Sequence, residues 1–335
     1  MFSARSSLWL PHSAPAQRSH HRELPVSRHS IGGDNLRNQE MKSNVLLMLT
    51  AAIWGFAFVA QRVGMQYVGA FTFNGVRFAL GSLSLIPLII FFDKKRKTER
   101  TEETASASAL VPGIIAGSIL FLAASLQQIG LAYTTAGKAA FITGLYIVLV
   151  PLFGILLKHR IRLSTWAGVL LAVVGLYFLS VNEDFSIARG DFLEIIGAFF
   201  WAAHILTIDY FTKKVDALKL SFVQFAACAV LSTAVALITE DISMAGLSGA
   251  LIPILYGGLF SVGIAYTLQV VGQKHAKPSH AAIILSMESV FAALGGALLL
   301  SENLGGRGYL GCALMFAGMI MTQVQSFGKS AETAE

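Results

Sequence analysis

The sequence predicts an all-α integral membrane protein of ten transmembrane helices, arranged as two inverted five-helix repeats. Three observations predict it. The 335-residue chain is 55% hydrophobic and only 13% charged, with a mean hydropathy of +0.65, far from the balance of a soluble globular domain. From Met41 onward its apolar residues fall into ten stretches, each near the roughly 20 residues a helix needs to cross a hydrocarbon core about 30 Å thick. The later stretches repeat the glycine spacing and loop lengths of the earlier ones, and an odd number of crossings per repeat makes the two halves enter the bilayer in opposite senses.

Residues 1–40 precede the first span. They hold five arginines, four histidines and many serines and prolines, with no apolar run long enough for a signal peptide. Such a segment builds no core. It reads either as an Arg- and Ser-rich transit peptide or as a non-native or disordered extension ahead of a true start at Met41. Glu23, Asp34, Glu40 and the scattered prolines spoil an amphipathic targeting helix and favour the second reading.

The first repeat, 41–181, contains spans near 44–63, 71–92, 110–132, 138–157 and 164–181. The second span ends at the charged loop Asp93–Ser108, the third carries Pro112 near its start, and the fourth stops at Lys158-His159-Arg160. The second repeat, 191–326, contains spans near 192–212, 219–238, 248–271, 279–300 and 308–326. Its first span stops ahead of Lys213-Lys214, its third carries Pro253, and its last follows a short Gly305-Gly306 turn. Residues 327–335 form a short tail.

The internal repeat is visible residue by residue. Setting Leu126-Gln127 against Leu268-Gln269 also aligns Gly130 with Gly272, Ala140 with Ala282, Gly154 with Gly296 and Leu156 with Leu298. One residue of drift then aligns Trp166-Ala-Gly168 with Tyr309-Leu-Gly311, and Gly175 with Gly318. Each glycine pair, Gly168 with Gly175 and Gly311 with Gly318, lies on one helix face, where backbones can approach closely. These are expected as seams of packing.

The net charge of +6 does not come from a basic patch interleaved with aromatics, so it does not point to nucleic acid. It sorts by loop. With the start of the first span on the cytoplasmic side, inward segments from Lys42 onward hold fifteen Lys and Arg against four on outward segments. By the positive-inside rule both termini are cytoplasmic, in a multi-pass cell (inner) membrane protein. Cys228 and Cys312 fall inside apolar spans, with neither metal-ligand spacing nor a disulfide framework. There is no GxxxxGK[ST] for nucleotide and no HExxH for metal, so no cofactor, metal site or catalytic set is expected, and the chain does not read as an enzyme.

Three segments carry a resemblance: LTAAIWGFAFVAQRVG with Trp54-Gly55, NGVRFALGSL with Arg77, and LSMESVFAALGGALLLSENLGGRGYLGCALMFAGMI across the last two spans. Together they resemble the EamA-type branch of the drug/metabolite transporter superfamily, over essentially Met41 to Gln325. The resemblance implies ten helices in two inverted repeats around a central cavity, and export or exchange of small polar metabolites such as amino acids by alternating access. The chain departs from the family in two places. Lys158-His159-Arg160 stands where an acidic residue often follows the fourth span, and Ser289 stands where a proline usually follows the ninth-span glutamate.

A charge at mid-span costs on the order of 2.5–3.5 kcal/mol on insertion scales and is a functional candidate by default. Glu288 sits about ten residues into its span, near the midplane, as a polar contact of substrate, a proton-exchanging acid or a structural hydrogen bonder. Arg77 lies about 10 Å deep at 1.5 Å per residue, placed to pair with a substrate carboxylate or with Glu288, or else to snorkel. Arg62, near its span's end, reads as an interfacial anchor. His204 shares a helix face with Trp201 and can switch charge, or simply bonds a neighbouring helix. Trp54, Phe58 and Gln61 recur at helical spacing, as do Thr143, Tyr146 and Val150. Gln127, Tyr266 and Gln269 add polar tips that cannot go unpaired in lipid.

The substrate-binding set expected is therefore Trp54, Phe58, Arg77, Gln127, Tyr146, Trp201, His204, Tyr266, Gln269 and Glu288. A small-molecule substrate, a proton as candidate co-substrate, the lipid bilayer and a second copy in a homodimer are the expected partners. An intramembrane enzyme and a non-transporting membrane scaffold are the alternatives to a secondary transporter.

Overall fold

A computed structural model describes residues 30–98, 108–156, 163–180, 187–273 and 278–332. Gln39–Glu335 make one compact unit and Met1–Asn38 another, of which only the helical Ser30–Asn38 is described. The expectation of an extension ahead of Met41 thus concerns a segment whose first 29 residues lie outside the described ones.

The fold is all-helical. In chain order the helices are α1 (Ser30–Gly64), α2 (Ala70–Thr98), α3 (Leu110–Leu131), α4 (Ala136–Thr143), α5 (Tyr146–Leu156), α6 (Leu163–Ser180), α7 (Arg189–Thr212), α8 (Ala217–Thr239), α9 (Met244–Gly249) and α10 (Leu251–Leu255). A π-helical segment, Tyr256–Ala265, then leads into α11 (Tyr266–Gln273), followed by α12 (Pro278–Leu300) and α13 (Gly305–Glu332). Among the described residues six segments are long and apolar enough to cross a membrane: Met41–Gly64, Ala70–Lys95, Leu110–Leu131, Arg189–Thr212, Ala217–Thr239 and Leu251–Gln273. Ala136–Val150, Trp166–Leu179 and Ile284–Leu300 are shorter apolar helical stretches.

Helices in lipid gain little from hydrophobic burial against one another, so they associate through close packing and hydrogen bonds. Small residues supply the approach. A Cβ on Gly175 would lie 2.6 Å from the Met315 amide, and one on Gly318 would lie 2.6 Å from the Gly168 carbonyl, so α6 and α13 touch backbone to backbone. The expected glycine seams are therefore real contacts. Gly75 brings α2 against Thr233 of α8, Gly117 brings α3 against Gln224 of α8, and Gly137 brings α4 against Ala293 of α12. Above these contacts Phe78, Phe225, Leu120, Val262 and Tyr266 form one apolar cluster, while Phe141, Ile142, Ile147, Ala198, Ala202 and Met315 form another.

Two spans depart from the uniform helices that the sequence predicts. The stretch 138–157 breaks at Gly144-Leu145 into α4 and α5. Tight i→i+3 bonds carry the chain through the break, Ile147 N to Gly144 O and Val148 N to Leu145 O. Gly144 leaves space there that a Cβ would take from Met319 and from Ser289 Oγ. Ser289 donates to the Ala140 carbonyl, which also keeps the Gly144 amide, so α12 is tied to the end of α4 beside the break. In the stretch 248–271, ten residues after Pro253 adopt π geometry, the wide coil that recurs at functional sites. Tyr256 Oη donates to the Ile53 carbonyl and Thr50 Oγ1 to that of Ala265, which fasten this coil to α1.

Two acids finish helix N-termini across the fold. Glu240, just past α8, accepts from the amides of Phe71 and Thr72 and from the Thr72 hydroxyl at the start of α2. Glu302, just past α12, accepts from the amides of Ala136 and Gly137 at the start of α4 and pairs with Arg62 at 3.2 Å. Both place negative charge at the positive end of a helix and satisfy amides that have no partner within it. Arg62 is thus more than an interfacial anchor, since it also donates to the Leu131 carbonyl.

Candidate functional site

Helical spacing puts Trp54, Phe58 and Gln61 of α1 on one side of that helix, and this side faces a cavity. Trp54 Nε1 donates to the Ser261 carbonyl at 3.1 Å, using the π-helical backbone as acceptor. Its ring meets Tyr266 edge-on, centroids 4.8 Å apart. Tyr266 in turn meets Phe225 at 5.1 Å, so the aromatic wall is braced from behind by α8.

The cavity holds about 610 Å³ of empty space, its open part included. All ten residues singled out in the sequence line it: Trp54, Phe58, Arg77, Gln127, Tyr146, Trp201, His204, Tyr266, Gln269 and Glu288. They come from α1, α2, α3, α5, α7, α11 and α12. Gln61, Thr143, Phe78 and Ser261 join them.

Glu288 is buried and its Oε1 accepts from Tyr146 Oη at 2.8 Å. This pair is made possible by the break before α5, which starts at Tyr146, and by Gly55, where α1 approaches the Glu288 carbonyl so closely that a Cβ would lie 2.7 Å from it. Arg77 is 3% exposed. Its guanidinium lies over the rings of Phe73 and Phe78, 5.5 and 4.9 Å from their centroids. Its Nε has no partner, and among the described residues no carboxylate lies within ion-pair distance of it. The pairing of Arg77 with Glu288 that sequence position allows is not made; Glu288 is engaged by Tyr146 instead. Aromatic faces stabilise a cation by on the order of 0.5–2 kcal/mol, well short of what a desolvated charge gains from an anion.

His204 Nε2 lies 2.9 Å from Gln224 Oε1 of α8, and its ring meets Trp201 edge-on at 5.9 Å. Trp201 Nε1 is buried without an acceptor. Gln127 Nε2 donates to Thr143 Oγ1 at 3.2 Å, and Thr143 Oγ1 donates to Glu194 Oε2 at 3.0 Å.

Glu194 and its neighbour Asp191 are functional-site candidates missed from the sequence. Both are fully buried. Asp191 pairs with Lys138 at 2.5 Å and accepts from Thr134 Oγ1 at 2.7 Å. The signal was present as an acid three residues after another within GDFLEIIGAFF, but a span taken to start at 192 leaves both near its end, where charges are ordinary.

The model of the EamA-like transporter family matches residues 41–181 and again 188–324. The chain is similar to an uncharacterized transporter of Archaeoglobus fulgidus, 33% identical over 83% of this chain and 85% of that one. It is similar to the uncharacterized transporter YoaV of Bacillus subtilis, 24% identical over 80% of this chain and 92% of that one. A protein of Salmonella typhimurium named "Probable amino-acid metabolite efflux pump" is 27% identical over 52% of this chain and 54% of its own. A solved crystal structure of a protein superposes with a TM-score of 0.59 at 18% identity, over 84% of this chain and 96% of that one, which is a likeness of fold alone.

Proposed function

Because the chain belongs to the EamA-like transporter family, and is a multi-pass membrane protein, we propose that it is a secondary transporter exporting a small polar metabolite that bears a carboxylate, such as an amino acid. The metabolite passes through the cavity by alternating access. One observation carries this reading: Arg77 presents a buried guanidinium to the cavity with no described carboxylate beside it. A guanidinium binds a carboxylate in two parallel hydrogen bonds, so a carboxylate-bearing solute supplies the counter-charge that the protein withholds. Glu288, held by Tyr146, receives the solute's ammonium group or a proton. Trp54, Phe58, Trp201 and Tyr266 form the walls, and Gln127, Gln269 and His204 offer polar tips.

The architecture in this reading is ten crossings in two inverted repeats. α4 and α5 count as one crossing, and α10 through α11 as another. Three pairings support it, each joining a crossing to its counterpart five crossings later: α2 with α8, α4 with α12, and α6 with α13. The excess of Lys and Arg on one set of loops supports cytoplasmic termini in an inner membrane. In that orientation Arg62–Glu302 and Lys138–Asp191 lie toward the outer side.

The test is counterflow in liposomes that contain only the purified protein, preloaded with unlabelled amino acids and offered labelled ones. Saturable exchange lost in Arg77→Gln supports the reading. Absence of saturable exchange for every amino acid and simple carboxylate overturns it. Within the same assay, a Glu288→Gln variant that keeps full pH-dependent flux removes the proton from Glu288.

A further inference from the structure

We infer that Glu194 is a second proton-exchanging group, set behind the cavity wall and linked to it through Thr143 and Gln127. The inference adds to the transport reading a second protonation site, and only its consequence for flux rests on that reading.

Glu194 lies on α7, one turn and a half inside the helix start, and its side chain is fully buried. It fits where α3 and α7 cross over Gly130 and Gly190. A Cβ on Gly130 would lie 2.9 Å from Glu194 Oε1, and one on Gly190 would lie 2.7 Å from the Gly130 carbonyl. Glycine at 130 thus leaves the pocket that the carboxyl group fills. In that pocket Oε2 has one donor, Thr143 Oγ1 at 3.0 Å, and Oε1 has none.

Among the described residues no cation pairs with it. α3 brings no titratable side chain against it. α4 brings Lys138, which is committed to Asp191 at 2.5 Å. α5 brings Tyr146, which is committed to Glu288. α8 brings Lys219, which pairs with Asp93, and Cys228, which contacts Ser232. On α7 itself Arg189 lies over the Tyr133 ring and His204 contacts Gln224. A bare carboxylate with one hydrogen bond in such a place is costly, and a proton on Oε1 removes the cost.

The contrast with Asp191 is informative. Three residues away on the same helix, that acid has both a lysine and a threonine, which is the arrangement of an acid with a structural task. Glu194 has the arrangement of one that gains and loses its proton.

The link to the cavity is a change of hydrogen-bond strength. With Glu194 ionised, Thr143 must donate its hydroxyl proton to Oε2, so its oxygen accepts from Gln127 Nε2 at 3.2 Å. With Glu194 protonated, the Thr143–Oε2 bond weakens to one between neutral groups, the Thr143 oxygen becomes a poorer acceptor, and the Gln127 amide, which lines the cavity, is held less tightly away from the solute. Protonation and solute binding at Gln127 are then thermodynamically coupled, each shifting the other equally.

The experiment is infrared difference spectroscopy of the full chain in lipid between mildly alkaline and mildly acidic buffer, with proton concentration as the only variable. The expected result is a carbonyl band of a neutral buried carboxyl group that is lost in Glu194→Gln and retained in Glu288→Gln. Thr143→Val, which removes only the hydroxyl, shifts that band to higher frequency, and Thr143→Ser restores it. A band unchanged in Glu194→Gln, or no titrating band in the wild type, overturns the inference. No solute is used, so a failure here leaves the transport reading standing, and failed counterflow leaves the spectroscopic result intact.

Discussion

The Tyr146 hydroxyl donates a hydrogen bond to Glu288 at 2.8 Å, joining the first residue of α5 to the middle of α12. The two residues are 142 apart in sequence and meet only because the fourth apolar stretch bends at Gly144-Leu145. Removing the hydroxyl leaves a buried acid without its donor, a cost of about 1–3 kcal/mol. Tyr146→Phe is expected to lower thermal stability in detergent and to alter the pH dependence of exchange, as read by a melting curve and by counterflow on the same preparation. Unchanged pH dependence refutes a joint role for the pair.

Arg77 is expected to resist conservative replacement. Lysine keeps the charge but loses the planar fork that matches a carboxylate. Hydrogen bonds to charged groups are worth about 1.5–3 kcal/mol, so Arg77→Lys should weaken the half-saturating concentration for exchange about tenfold or more. Arg77→Gln should weaken it further. Equal affinities in Arg77→Lys and wild type would place the solute elsewhere.

The Arg62–Glu302 contact ties α1 to the segment after α12 and, through the amides of Ala136 and Gly137, to α4. Glu302→Gln removes the ion pair and weakens the helix cap. If this contact closes one end of the cavity, a cysteine placed at Phe58 in that background should react faster with an impermeant thiol reagent than the same cysteine alone. Equal labelling rates would show that the contact is a brace only.

The seam between α6 and α13 tolerates no added carbon. A Cβ on Gly318 would lie 2.6 and 2.7 Å from backbone atoms of Gly168 and Ala172, so Gly318→Ala must push the helices apart. Overpacking of this kind costs about 1–3 kcal/mol. The expected signature is a lowered melting temperature with exchange affinity retained in the folded fraction, because neither helix lines the cavity.

Much of this molecule was legible in the sequence because lipid imposes strict rules. A polar side chain in an apolar span needs a partner or a cavity, and that rule alone brought Arg77, Gln127, His204, Gln269 and Glu288 to one place. Aromatic spacing did the same for Trp54 and Phe58. What could not be read were departures from helical regularity. Gly144 alone does not mark a break, because glycine is common within membrane helices; what stands against it there, Met319 and Ser289, comes from distant parts of the chain. Glu194 escaped notice for a related reason: its burial comes from α7 packing on α3 where Gly190 meets Gly130, a contact between distant segments.

The wide coil Tyr256–Ala265 stands directly before Tyr266 and Gln269. Its pitch therefore sets the azimuth of both side chains. Each residue of an ordinary helix advances about 100° around its axis, so the wider pitch of this coil, held by its bonds to α1, decides that phenol and amide face the cavity.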